Sequence, residues 1–156
     1  MKQNKPSNFF IDAFFSEVTL FGTMVFYGVV LLIMSRVDFS LFIRSFSILL
    51  IVEVVCGAIK LVYPKKRPLP EKEVLQWPLL QKWNSSSFPS IHAARAAALA
   101  MILVNSYPND KILLAAAMAV AIVVGYSRIY LKKHDLIDIT AGLAIGALTG
   151  GIGMAI

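Results

Sequence analysis

Long apolar runs alternate with short polar junctions along this chain. A membrane-spanning helix needs about 20 mainly apolar residues, and five runs of roughly that length occur. These candidate spans cover residues 18–35, 41–63, 90–107, 111–130 and 136–156. The pattern predicts an all-α fold, a polytopic transmembrane helical bundle with five spanning helices.

The segment before the first run is rich in phenylalanine but too short to span a bilayer. Residues 6–16 hold four phenylalanines, interrupted by Asp12. We predict an interfacial helix, lying along the membrane surface and leading into the first span. An extension of the first span is the alternative, and the pattern alone favours neither.

The longest polar stretch covers residues 64–88 and contains several prolines together with Trp77 and Trp83. Tryptophan is enriched where membrane meets water. We therefore predict an interfacial loop that lies on the bilayer surface and covers the site.

Composition supports a membrane protein of one domain, residues 1–156. Hydrophobic residues make up 58% and charged residues 15% of the chain, whereas a soluble domain is nearer half apolar and a quarter charged. The net charge of +6 flanks apolar spans, so the bilayer and anionic lipid are the expected partners and nucleic acid is not. Cys56 is the only cysteine, which excludes an internal disulfide.

Chain direction reverses at every span, so four polar junctions are expected on one face of the membrane. They are the end of the second run, the start of the third, the end of the fourth and the start of the fifth. The residues concerned are Lys60 and Arg67, Ser90 and His92, Ser127 and Arg128, and His134 and Asp138.

These residue types suit the hydrolysis of a phosphate ester, which needs fixed cations at the non-bridging oxygens and a proton for the leaving oxygen. Lys60, Arg67 and Arg128 can supply the cations. With Pro89 as the first helical residue, the free amides of Ser90 and Ile91 would point at an anion at a helix N-terminus. The Ser90 hydroxyl adds another donor.

Two histidines complete the candidate chemistry. His134 and Asp138 are four apart and share one helix face, so the carboxylate can fix the imidazole tautomer and leave a lone pair for attack on phosphorus. His92, from another helix, can act as the general acid. A surface role is the common alternative for a lone histidine at a membrane interface. With two histidines and no clustered acids, we expect neither a metal nor another cofactor.

Other charged and small residues have structural interpretations. Lys65, Lys66, Lys132 and Lys133 are expected to be snorkelling or lipid-facing charges rather than catalytic ones. Arg95 and Glu53 lie inside apolar runs, so we expect Arg95 to pair with Glu53 or a backbone carbonyl.

The last run repeats glycine every fourth residue, at Gly142, Gly146 and Gly150. This spacing favours close packing within the bundle over dimerisation, while the oligomeric state stays open, a monomer included.

Together these clusters resemble the three-part signature of the type 2 phosphatidic acid phosphatase superfamily. The first part matches at Lys60, Arg67 and Pro68, the second at Pro89, Ser90 and His92, and the third at Ser127, Arg128, His134 and Asp138. One position departs from the pattern, since Ile91 stands where the family usually has glycine.

The resemblance implies a role for each matching residue. His134 would form a phosphohistidine, Asp138 would orient it, and His92 would protonate the leaving group. Lys60, Arg67, Ser90 and Arg128 would hold the phosphate, and no metal would be needed. The family core usually has six helices, so the phenylalanine-rich segment would stand for the sixth.

The implied activity is hydrolysis of a lipid phosphate monoester or pyrophosphate in a bacterial inner membrane. Lipid A 1-phosphate is slightly favoured over phosphatidylglycerol phosphate and undecaprenyl pyrophosphate. A lipid phosphotransferase with the same phosphohistidine chemistry is one alternative, and a non-enzymatic channel or transporter is another. The positive-inside rule would place the lysine-rich catalytic face in the cytoplasm, whereas the resemblance implies the periplasmic face.

Overall fold

The computed structural model describes residues 8–69, 83 and 85–156. Within these residues lie six α-helices and a short 3-10 turn, Thr19–Gly22, called the N-terminal turn below. The helices are α1 Phe9–Val18, α2 Met24–Val37, α3 Phe39–Val62, α4 Ile91–Ser106, α5 Lys111–Tyr130 and α6 Leu136–Ala155. The predicted all-α fold is confirmed.

Short polar side chains fix where most of the later helices begin. Asp38 accepts a hydrogen bond from the Leu41 amide at the start of α3, at 3.0 Å. Asp110 does the same for Leu113 at the start of α5, at 2.9 Å. Such N-caps satisfy backbone donors that have no partner within the helix, so the polar junctions between apolar runs become helix boundaries.

The central element is α4, which packs against α3, α5 and α6. Its alanines leave room for the glycine face of α6. A Cβ at Gly146 would collide with the Ala94 carbonyl, and one at Gly150 would lie 2.8 Å from the Met101 Cβ. The predicted packing of the glycine stripe within the bundle is therefore confirmed.

The outer surface is apolar, as expected of a multi-pass membrane protein. Large side chains such as Val25 and Ile112 lie exposed on it. By length and hydropathy, α3, α5 and α6 could each cross a bilayer, and the pair formed by residues 9–22 and α2 would make a fourth span if counted as one. At 16 residues, α4 is shorter, so the predicted total of five spans stays a prediction.

The predicted first span differs from the structure. Residues 18–35 do not form one helix, because the chain bends by 50° between Phe9–Gly22 and Met24–Val37. Thr23 is extended and its hydroxyl caps α2 by accepting from the Phe26 amide. Hydrophobicity is continuous across this point, which explains why the apolar pattern did not indicate the bend.

The two segments predicted at the interface are described in part. The N-terminal helix begins at Phe9, and residues 6 and 7 of the predicted helix lie outside the described residues. Of the predicted covering loop, residues 70–82, with Trp77, and residue 84 also lie outside them. Trp83 rests against Gly57 of α3 and forms part of a cavity wall.

Candidate active site

The four predicted junctions meet around one cavity of about 130 Å³. The ends of α3 and α5 and the starts of α4 and α6 all approach it. Its lining residues are Lys60, Arg67, Trp83, Ile91, His92, Arg95, Arg128 and His134. Ser90 and Asp138 are fully buried. Ser90 directly precedes Ile91 of this wall, and Asp138 lies against His134.

Lys60 brings a buried charge to the cavity from the last turn of α3. It is 3% exposed, and its Nζ donates to the Ser86 carbonyl at 2.5 Å. Because an ammonium has three donors, this bond orients the side chain while leaving donors for a bound anion.

Arg67 reaches the cavity from a loop that pairs with the segment preceding α4. Lys66 and Ser86 form an antiparallel bridge, and the Ser87 amide donates to the Lys65 carbonyl at 2.7 Å. This backbone pairing fixes the first and second sequence clusters relative to each other.

Ser90 has a different backbone role from the one predicted. Ile91 is the first helical residue, with Ser90 as N-cap and Pro89 one residue outside the helix. The Ser90 amide donates to the Asp138 carbonyl at 2.9 Å, so the expectation of a free amide there is wrong. Its hydroxyl accepts from the Ala93 amide at 3.4 Å, and Ile91 lines the cavity at the start of α4, where helical amides lack internal partners.

A tight turn after α5 brings Arg128 and His134 together. The amides of Lys133 and His134 both donate to the Arg128 carbonyl, at 3.0 and 3.2 Å. Lys132 adopts a left-handed backbone with φ of 54° to close this turn. Arg128 and His134, which are six positions apart in sequence, are therefore direct neighbours in the site.

His134 and Asp138 lie side by side, as their spacing predicts. The distance from His134 Nδ1 to Asp138 Oδ2 is 3.6 Å, slightly beyond hydrogen-bonding range. Catalytic hydrogen bonds commonly shorten once substrate is bound, so this geometry suits an orienting carboxylate. Asp138 also completes a reciprocal capping box with Asp135 at the start of α6.

Burial, together with the charges of Arg128, Lys60 and Arg67, lowers the pKa of His134 to about 3. The imidazole is 3% exposed and neutral at pH 7. A neutral ring keeps the lone pair that attack on phosphorus requires.

Lys65 takes a position that the sequence did not indicate. Its Nζ lies 2.5 Å from Asp135 Oδ2 and 2.8 Å from Asp138 Oδ1. Burial opposes the charge, but these hydrogen bonds prevail and raise the pKa of Lys65. The interpretation of Lys65 as a lipid-facing charge is therefore wrong, and only its spatial neighbours distinguish it from Lys66.

Arg95 lies one turn deeper than His92 and also lines the cavity. Its Nε donates to Glu53 of α3, and its Nη1 donates to the Gly22 carbonyl at 3.0 Å. Both expected kinds of partner are present, which confirms the predicted pairing of these two charges inside the bundle.

Among the residues that the structure describes, no group of three or more His, Cys, Asp or Glu side chains is placed to hold a metal ion. Most of the polar side chains that line the cavity are cationic, which suits an anionic ligand. The site therefore has the arrangement needed to bind a phosphate group between fixed positive charges and two imidazoles.

Comparison with known proteins agrees with this geometry. LpxE from Aquifex aeolicus has a similar fold, with a TM-score of 0.79 and 23% identity over 98% of this chain and 90% of that one. The first transmembrane PAP2 type phosphatidylglycerolphosphate phosphatase from Bacillus subtilis gives a TM-score of 0.76 and 22% identity over 94% and 76% of the two chains.

The family assignment comes from the sequence itself. Residues 41–156 match the PAP2 superfamily, a region that contains all three clusters and most of the chain. The resemblance predicted from the clusters, and with it a membrane phosphatase, is confirmed. The chain therefore belongs to the PAP2 superfamily.

Proposed function

We propose that this protein hydrolyses a lipid phosphate monoester or pyrophosphate through a phosphohistidine on His134, without a metal. The observation that carries the proposal is the convergence of three cations and two histidines on one small cavity. Lys60, Arg67 and Arg128 hold the phosphate oxygens, assisted by the Ser90 hydroxyl and the Ile91 amide.

The reaction takes place in two steps. In the first, a His134 nitrogen forms a bond to phosphorus, the bond to the leaving oxygen breaks, and His92 donates a proton to that oxygen. In the second, water attacks the phosphohistidine, His92 accepts its proton, and inorganic phosphate leaves. Asp138 orients the His134 ring throughout and the cations stabilise the charge on phosphorus.

Among substrates we place lipid A 1-phosphate first, followed by phosphatidylglycerol phosphate and undecaprenyl pyrophosphate. The likeness of the fold to LpxE supports this order. All three present a phosphate at the surface of a bilayer while their hydrocarbon stays inside it.

The test is phosphate release by purified full-length protein from these three lipids, in the presence of EDTA. We expect release to survive EDTA, to be blocked by vanadate, and to disappear in His134→Ala. Lys111→Ala, at the opposite end of the bundle from His134, should keep wild-type rates. Loss of activity on chelation with recovery on adding magnesium, or near-normal rates in His134→Ala, would contradict the mechanism.

The same assay separates hydrolysis from phosphotransfer. With water as the acceptor, inorganic phosphate should account for all the lipid phosphate consumed, even when an alcohol is added. Transfer of most of the phosphate to the alcohol would favour the lipid phosphotransferase.

We further propose that the protein lies in the inner membrane with its site at the periplasmic face. Family resemblance supports this orientation, although the lysines around the site oppose it. Labelling Lys132→Cys in intact cells, in a Cys56→Ser background, with an impermeant maleimide tests the orientation. Labelling only after the membrane is opened would place the site in the cytoplasm.

A further inference from the structure

Three residues of the site contact a part of the chain that lies outside the family match. The N-terminal turn, Thr19–Gly22, precedes the matched region, which begins at residue 41. Nevertheless it contacts Arg128, Arg95 and His92.

The contact to Arg128 belongs to a directed chain of hydrogen bonds. Ser127 donates its hydroxyl proton to the Val124 carbonyl at 2.7 Å, so it can only accept from Thr19, whose Oγ1 lies 3.0 Å away. Thr19 has one hydroxyl proton, and its oxygen can therefore accept from Arg128 Nη1 at 3.4 Å. The Ser127 and Thr19 hydroxyls therefore each donate one hydrogen bond and accept one.

The contacts of Gly22 are steric as well as polar. Gly22 is buried, and a Cβ built on it would lie 2.6 Å from Cδ2 and 2.8 Å from Cβ of His92. Its carbonyl accepts from Arg95 at 3.0 Å. Glycine is needed here for space, since even a methyl group would displace the His92 ring.

From these contacts we propose that the N-terminal turn positions the catalytic groups, with Thr19 as a positioning residue for Arg128 and Gly22 as one for His92. The inference rests on the proposed phosphatase function. It gives the bend between α1 and α2 a role, because the bend turns the Thr19 hydroxyl and the Gly22 backbone toward the cavity wall.

Thr19→Val tests the polar contact while keeping the shape of the side chain. We expect kcat/KM for the lipid phosphate to fall about tenfold, the effect of losing one hydrogen bond to a charged group. The inhibition constant of vanadate should rise by a similar factor, since Arg128 holds the anion. Thr19→Ser keeps the hydroxyl and should restore both values.

Thr149→Val, in the second half of α6, is the matched control for Thr19. In the described structure its hydroxyl donates to the Ile145 and Gly146 carbonyls of its own helix, so vanadate inhibition should stay at the wild-type value. A Thr19→Val enzyme with wild-type KM, kcat and vanadate inhibition would overturn the role of Thr19.

Gly22→Ala tests the steric contact, with Gly28→Ala as its control. A Cβ at Gly28 would meet no atom within 4 Å, so this variant should keep wild-type rates. We expect Gly22→Ala to lose at least about tenfold in kcat, because the general acid is displaced. Equal kcat in the two variants would overturn the role of Gly22.

The proposed function and this inference fail in different ways. If the wild-type protein releases no phosphate from any of the three lipids, the proposed function fails. If the wild-type protein is active but the two turn variants match their controls, only the inference fails. Thermal stability measured for each variant distinguishes misplaced side chains from a chain that has not folded.

Discussion

At the scale of single residues, the Asp138 carboxylate is held from several directions. One oxygen accepts from Lys65 at 2.8 Å and the other from the Asp135 amide at 3.1 Å. The second oxygen also faces His134. The orientation of the proposed nucleophile therefore depends on Lys65 through the carboxylate between them.

We predict that Lys65→Ala lowers kcat about tenfold and leaves KM nearly unchanged. The loss corresponds to one charge-assisted hydrogen bond to the orienting carboxylate. Steady-state kinetics on a lipid phosphate would measure it, and Lys65→Arg should recover part of the rate.

Lys66→Ala is the control, since Lys66 is adjacent and carries the same charge. In the described part of the chain the Lys66 side chain makes no hydrogen bond or ion pair, while its backbone carbonyl accepts from the Ser87 hydroxyl at 3.4 Å. Should Lys65→Ala raise KM while keeping kcat, Lys65 would be a lipid-binding charge after all.

The burial of His134 predicts how stability depends on pH. Its pKa is about 3 in the folded protein and about 6.5 in an unfolded chain, so the unfolded state binds the extra proton first. Above pH 6.5 His134 is neutral in both states and does not lower the free energy of unfolding. As the pH falls from 6.5 toward 3, protonation favours the unfolded state, and the free energy of unfolding decreases progressively.

Between pH 7 and pH 5, the free energy of unfolding should fall by about 2 kcal/mol more in the wild type than in His134→Asn. The variant is a suitable reference because its side chain does not titrate. Thermal unfolding of both proteins in detergent across this range would measure the difference. Parallel pH curves would mean that His134 is not held neutral by the fold.

The sequence identifies the motif residues because their chemistry and spacing both carry information. The four-residue interval between His134 and Asp138 places them together on any helix or helix start. Lys65 and Thr19 carry no such signal, since each acts on a group more than 70 positions away in sequence. Such partners are defined only when the chain folds.

At the scale of helices, the site is held together by the close approach of α4 and α6. Gly142 faces the Ser90 carbonyl and Gly146 faces the Ala94 carbonyl. This contact runs from the site toward the opposite end of the bundle, so the position of Asp138 beside the start of α4 depends on it.

Gly146→Ala should therefore destabilise the protein by about 1–3 kcal/mol, the usual effect of overpacking a close contact. Gly151→Ala is the matched control, because a Cβ there would lie 3.4 Å from the flexible end of Met101. Thermal unfolding in detergent would compare the two. Equal melting temperatures would show that the helices can separate without loss.

Helix type and most boundaries follow from the apolar runs and their polar caps, whereas the N-terminal bend does not. Residues 111–130 form one helix as predicted, because Asp110 caps an uninterrupted apolar run. The bend at Thr23 instead depends on hydrogen bonds made by one hydroxyl and on the packing of Gly22 against His92. Neither feature changes the hydrophobic pattern.

At the scale of the whole molecule, the polar groups of the site gather at one end of an apolar bundle. Lys60 lies in the last turn of one long helix and Arg128 in the last turn of another, while His134 precedes a third. A channel would need polar groups along the length of the membrane, but here they meet around a single cavity. Outside it, exposed side chains such as Leu136 and Ile137 at the start of α6 suit contact with hydrocarbon.

This arrangement predicts that substrate enters from the bilayer with its phosphate at the depth of the cavity. Each CH₂ buried in the bilayer contributes roughly 0.8 kcal/mol to membrane binding. Acyl chains that stay in the membrane therefore keep the phosphate near His134, and no free energy is spent on moving them into water. We expect kcat/KM for a long-chain lipid phosphate to exceed that for a short, water-soluble phosphate by at least about 100-fold. Vanadate should inhibit both reactions equally, because both use the same cations, whereas equal efficiency on the two substrates would exclude entry from the bilayer.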